Sequence, residues 1–184
     1  MAQWKQISVY FKGYPENLVF EILNEPHGNL SAAKWNQFIV SALAEIRTDN
    51  PDRIVMIGTA DWGGLGGLSQ LNIPNDQNLI LTIHYYNPFR FTHQGAEWVN
   101  DSQAWLGTEW LDSQDERTTV EREFAPLLKL SEEKKIPIHI GEFGAYAKAD
   151  LVSRSKWTTF LSRYFEQKKM EFGLLGIQCG FWYL

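Results

Sequence analysis

Ile136-Pro137-Ile138-His139-Ile140-Gly141-Glu142-Phe143-Gly144 is a short apolar run that ends on a carboxylate set among glycines. A second stretch, Leu18-Val19-Phe20-Glu21-Ile22-Leu23-Asn24-Glu25-Pro26, also ends on a carboxylate. Between them lies Leu79-Ile80-Leu81-Thr82-Ile83-His84-Tyr85-Tyr86, closing on polar aromatic residues. Short apolar runs bounded by Gly, Pro and Asn read as buried strands. Amphipathic stretches separate them. Residues 32–49 carry Trp35, Phe38, Ile39, Leu43 and Ile46 near helical spacing, and residues 116–134 carry Phe124, Leu127, Leu128 and Leu130. Strands alternating with long helices give the βα pattern of a parallel sheet.

The remaining boundaries follow from local signals. Residues 2–12 read as a helix stopped by Gly13-Tyr14-Pro15, followed by a strand over 18–23. Ser31 is placed to cap the helix of 32–49. Pro51-Asp52 turns the chain into a strand over 53–57, and a glycine-rich loop over 58–67 holds Asp61 and Trp62. A short helical turn is expected over 68–71, then a strand over 79–84. A long loop over 87–115 carries His93, Trp98, Trp105 and Trp110. A strand over 136–141 precedes a helix that starts at Ser153 and runs to 170, and the tail from 172 to 184 reads as extended. The expected fold is α/β, a partial TIM (β/α)8 barrel of five βα units in one domain over residues 1–184. A closed barrel takes about 250 residues, and this chain has 184.

With 44% hydrophobic residues the chain can bury a sizeable core. A net charge of -5 and the absence of a basic block argue against a nucleic-acid partner. No run reaches the roughly 20 apolar residues of a membrane span, no signal peptide is visible, and the single Cys179 excludes an intrachain disulfide. Eight tryptophans suit either a large core or faces that stack on sugar rings.

Glu25 and Glu142 both stand at strand ends, and such ends converge on one rim of a β/α barrel. Two carboxylates there suggest glycoside hydrolysis, in which one carboxyl donates a proton and the other, ionised, assists at the anomeric carbon. Pro26 should push Glu25 toward extended geometry and fix the direction of its side chain. His84 and Tyr86 are two apart and so point to the same face of a strand. Either could hydrogen-bond a carboxylate or a sugar hydroxyl. The local spacing of Glu25, His84 and Glu142 matches no common zinc motif, so no metal and no cofactor are expected. Gly63 to Gly67 lacks the Lys-Ser/Thr of a phosphate loop, and no serine sits in a nucleophile elbow.

At these motifs the chain resembles glycoside hydrolase family 5, the cellulase family, in its bacterial endoglucanase-like branch. Phe20 to His27 resembles the acid/base motif, His84 to Phe89 the strand-six motif, and Ile140 to Tyr146 the nucleophile motif. The similarity runs from about residue 2 to 171. It implies a retaining β-glycosidase with Glu25 as acid/base and Glu142 as nucleophile. Asn24 would bind the sugar 2-hydroxyl, His84 and Tyr86 would flank the cleavage site, and Trp62 would line the cleft. The implied partner is a β-glucan or cellooligosaccharide, and the implied parent enzyme is secreted.

The departures from the family carry expectations of their own. Strands one to three have no counterpart, nor do an arginine and a histidine that they bring to the site. The family's strand-eight Tyr-Trp-Glu-Phe run is replaced by residues 174–184. Codons can be chosen for these residues that, read one base later, spell Tyr-Trp-Glu-Phe-Ser-Ala-Gly-Phe-Gly-Ile, which suggests a frameshift that the nucleotide sequence would decide. A sheet of five βα units leaves open edges, so self-association into a homo-oligomer is expected. An inactive or weakly active barrel fragment that still binds sugar is the alternative reading.

Overall fold

The computed structural model describes residues 1–173; the expectations for residues 174–184 lie outside them. The chain runs α1 (Ala2–Tyr10), β1 (Phe20–Glu21), α2 (Ala32–Asp49), β2 (Val55–Ile57), β3 (Leu79–Tyr85), α3 (Phe89–Thr92), α4 (Gln114–Lys134), β4 (Ile138–Phe143), α5 (Leu151–Gln167) and β5 (Glu171–Phe172). The sheet order is β1-β2-β3-β4-β5, with β1–β2, β2–β3 and β4–β5 pairing in parallel. Two compact units divide the residues. One is Met1–Ile83 with Leu130–Ile138, the other His84–Lys129 with the described residues from His139 onward.

In the first unit α2 buries Trp35, Ile39, Ala42, Leu43 and Ile46, one stripe at helical spacing. Ser31 occupies the N-cap position of α2, but its side chain makes no capping bond. The α1 helix is tied to α2 through Ser8, whose Oγ donates to Ile46 O at 3.3 Å, while Asn50 Nδ2 donates to Ser8 O at 2.9 Å. The first strand is shorter than the expected 18–23. Leu18 N donates to Pro15 O in a turn, and the Arg53 guanidinium collects the carbonyls of Tyr14 (2.8 Å), Pro15 (2.6 Å) and Leu18 (2.9 Å). With these carbonyls turned to Arg53, the ladder begins at Phe20 N, which donates to Ile54 O. Arg53 itself precedes β2 rather than opening it, which leaves its guanidinium 5.4 Å from the Phe20 ring centre.

In the second unit an aromatic core of Phe91, Trp110, Phe124, Phe143, Trp157 and Phe165 is almost fully buried. Both of its long helices start earlier than expected. Ser113 and Glu116 form a reciprocal capping box, with Ser113 N donating to Glu116 Oε2 at 2.7 Å and Glu116 N to Ser113 Oγ at 3.3 Å. Asp150, not Ser153, caps α5, accepting from Ser153 N at 2.8 Å. That backbone hydrogen bond, with others near it, holds the Asp150 carboxyl below its ordinary value. The stretch expected as one long loop is instead ordered by the buried Gln94. Its amide donates to Phe91 O (2.9 Å) and Thr108 O (2.8 Å) and accepts from Gly107 N (2.9 Å). Within that stretch lie α3 and a 3-10 turn over Ser102–Trp105.

Candidate active site

Glu142 lies inside β4 rather than just past a strand end, and its side chain is about a fifth exposed. Two side chains from the end of β3 meet it. Tyr86 Oη donates to Glu142 Oε2 at 2.8 Å, and His84 Nδ1 lies 3.3 Å from the same oxygen. His84 and Tyr86 are two residues apart, so both reach the same face, and His84 is 5% exposed. A carboxylate oxygen that accepts from Tyr86 and stands 3.3 Å from the His84 ring is held in a defined orientation.

Tyr86 is itself supported from behind. Thr92 Oγ1 donates to Tyr86 O at 2.6 Å, and His93 Nδ1 lies 2.9 Å from Thr92 Oγ1. The single hydroxyl proton goes to the carbonyl, so His93 Nδ1 carries the proton of the second bond. The His93 ring stands edge-on to Tyr86 at 5.2 Å and stacks on Phe89 at 4.0 Å. Nearby, Tyr85 Oη and Asn87 Nδ2 donate to Glu123 Oε2 at 2.8 and 3.0 Å. Burial and then the Glu123 charge push the Tyr85 hydroxyl far above its usual range.

Glu25 departs from expectation. Its φ is +45°, in the left-handed region, not the extended geometry anticipated before a proline. A non-glycine residue held there costs about 1–3 kcal/mol, and such conformations persist only where neighbours over-determine them. The neighbours are visible in the first unit. His27 Nδ1 is 2.6 Å from Glu25 O, and Trp62 N donates to Pro26 O at 3.2 Å. Trp62 is also left-handed, with φ +52°. Its ring stacks on His27 with centroids 3.4 Å apart and planes within 8°, yet it remains 54% exposed. Asn24 is exposed and Glu25 half-buried. The glycine-rich loop allows close backbone approach: a Cβ on Gly67 would meet Thr59 Cβ at 2.7 Å.

An aromatic patch follows Tyr86 in the second unit. Trp98 is 56% exposed and stands edge-on to Tyr146, whose hydroxyl donates to Glu97 Oε2 at 2.6 Å. That bond raises the Tyr146 hydroxyl and lowers the Glu97 carboxyl from their ordinary values. Sequence reasoning named Glu25, Glu142, Asn24, His84, Tyr86 and Trp62. It did not assign roles to His27, Thr92, His93 or Glu123. A His two residues beyond a strand-end Glu, and a Thr-His pair shortly after the Tyr, were the available signals.

A family model described as Cellulase (glycosyl hydrolase family 5) matches residues 1–179. Endoglucanase H of Acetivibrio thermocellus is 41% identical over 159 residues, covering 86% of this chain and 16% of that protein. Cellodextrinase A of Ruminococcus flavefaciens is 26% identical over 164 residues, covering 89% of this chain and 49% of that protein. Among solved structures, Thermotoga maritima Cel5A in complex with cellobiose superposes with a TM-score of 0.95 at 49% identity, covering 98% of this chain and 59% of that one. The same Cel5A has been solved with mannotriose.

Five strands in parallel order with alternating helices match part of a (β/α)8 barrel. The chain belongs to glycosyl hydrolase family 5. It spans well under two thirds of the length of these relatives. Among the described residues, no helix is long and apolar enough to cross a membrane.

Proposed function

We propose that the chain is a retaining endo-β-1,4-glucanase-type glycosidase of a single domain, with Glu142 as nucleophile and Glu25 as general acid/base. The observation that carries this reading is the Glu142 carboxylate, gripped at Oε2 by Tyr86 and His84. A nucleophile must present one defined oxygen to the anomeric carbon, and donors on the other oxygen achieve that. Glu142 attacks the anomeric carbon while Glu25 gives a proton to the departing glycosidic oxygen. Glu25 then takes a proton from water, which displaces Glu142 and releases the sugar with its configuration retained. Asn24, beside Glu25, binds the 2-hydroxyl, and Trp62 offers its exposed ring to a neighbouring sugar. The substrate is a β-1,4-glucan or cellooligosaccharide. Binding of mannotriose by Cel5A, 49% identical to this chain, supports β-mannan as a second substrate. The parent enzyme acts outside the cell.

The order of strands, with β1 and β5 at its ends among the described residues, supports association of copies along those strands. Light scattering tests it, and a monodisperse monomer would end that part of the proposal.

The deciding experiment is hydrolysis of carboxymethyl cellulose and an aryl β-cellobioside by the purified chain beside Glu25→Gln and Glu142→Gln. Loss of at least about 100-fold in each variant is expected, the scale of acid–base and nucleophilic contributions. Turnover no higher than in the variants, with cellooligosaccharide binding retained, would favour the reading of an inactive sugar-binding barrel fragment.

A further inference from the structure

His27 is exposed, yet two faces of its imidazole are engaged. Its Nδ1 lies 2.6 Å from Glu25 O, and a carbonyl oxygen only accepts, so the proton of neutral His27 sits on Nδ1. Its ring lies flat against Trp62 at 3.4 Å. A third link joins the same two segments, the bond from Trp62 N to Pro26 O at 3.2 Å. The two residues that His27 touches, Glu25 and Trp62, both hold left-handed backbones (φ +45° and +52°) that non-glycine residues rarely adopt. A conformation that unfavourable needs specific partners, and the His27 side chain meets both residues.

We infer that His27 is a positioning residue: its Nδ1–H holds the backbone of Glu25, and its ring face sets the plane of Trp62. A sugar ring stacked on the outer face of Trp62 is thereby kept in a fixed relation to the Glu25 carboxylate. The inference rests on the proposed roles of Glu25 and Trp62, and it divides the work of one imidazole into an edge that serves the proton donor and a face that serves binding.

Two substitutions separate edge from face. His27→Asn keeps an amide donor near the position of Nδ1 and removes the ring. His27→Phe keeps a flat ring and removes the donor. On an aryl β-cellobioside, His27→Phe should lower kcat by about 10-fold or more with KM nearly unchanged, since small misplacement of a catalytic group is costly. His27→Asn should hold kcat and raise KM for cellooligosaccharides about 3- to 10-fold, the scale of one aromatic contact. A purely structural role would move both parameters together in both variants, and that result would overturn the inference. A long-range proton–nitrogen NMR spectrum of the unmodified chain, taken where His27 is neutral, needs no turnover and no variant. The Nδ1–H tautomer is expected, and the Nε2–H tautomer overturns the inference. If the chain shows no turnover at all, the proposed catalysis fails, but the tautomer and the cellotetraose affinity, followed by tryptophan fluorescence, still decide. His27→Asn should weaken that affinity and His27→Phe should not; the reverse pattern overturns the inference.

Discussion

Glu142 and Glu25 are held in opposite ways. Glu142 sits in a regular strand, and its orientation comes from side chains that reach its carboxylate, Tyr86 and His84 on β3 and the segment after it. Glu25 sits past the end of a two-residue strand in a left-handed conformation, and its backbone is what the neighbouring side chain grips. The difference fits the two proposed tasks. A nucleophile must aim one oxygen at one carbon and gains from fixed donors on the other oxygen. An acid/base serves the leaving group and then water, and a fixed backbone sets where its carboxyl can reach. It also divides the vulnerabilities, with Glu142 depending on hydrogen bonds to its side chain and Glu25 on the integrity of the segments that frame it.

The largest effect should come from breaking the first arrangement. Tyr86→Phe removes the 2.8 Å bond to Glu142. A hydrogen bond to a charged group contributes about 1.5–3 kcal/mol, so kcat/KM on an aryl β-cellobioside should fall roughly 10- to 100-fold. Stability should change little, which urea denaturation checks. An unchanged rate would mean that Tyr86 does not orient the nucleophile.

The second arrangement breaks through the fold. Arg53→Ala strips donors from the carbonyls of Tyr14, Pro15 and Leu18 and empties space beside Phe20. Part of this backbone gains water in exchange, so a loss of about 3 kcal/mol is expected, from the penalty of unmade hydrogen bonds. The denaturation midpoint should drop, and activity measured well below that midpoint should fall because the approach to Glu25 loosens. A variant as stable as the parent would mean that the guanidinium is dispensable to β1.

How much of this was legible follows the same division. Helix α2 was readable from its helical periodicity, strand β3 from its short apolar run, and the shared direction of His84 and Tyr86 from the two-residue repeat of a strand. The starts of α4 and α5 were missed by two residues each. Glu116 and Ser153 read as the first helical residues, which leaves their partners Ser113 and Asp150 outside the helices and their capping bonds unread. The geometry of Glu25 could not be read locally. The pre-proline rule favours extended backbone, and what overrides it includes Trp62, 37 positions along the chain, through its backbone bond to Pro26 and its stack on His27. Likewise Gln94 orders its surroundings by bonding to Thr108, a contact that no pattern announces.

The smallest effect concerns the other face of the strand that carries Glu142. His139 stands three residues before it and so points to the opposite face. Burial holds the His139 imidazole below its ordinary value; Glu171, its register partner on β5, opposes this, and His84 adds to it. The folded state therefore favours the neutral ring. Above the unfolded value near 6.5 both states are neutral, and His139 adds no pH dependence. As the pH falls through that value the unfolded chain takes up the proton first, so stability is lost, and the loss levels off once the folded value is passed. Urea midpoints at pH 7.5 and pH 5 should fall more in the parent than in His139→Gln, groups common to both cancelling in the difference. Equal falls would mean that β4 holds its neutral histidine at no cost to the folded state.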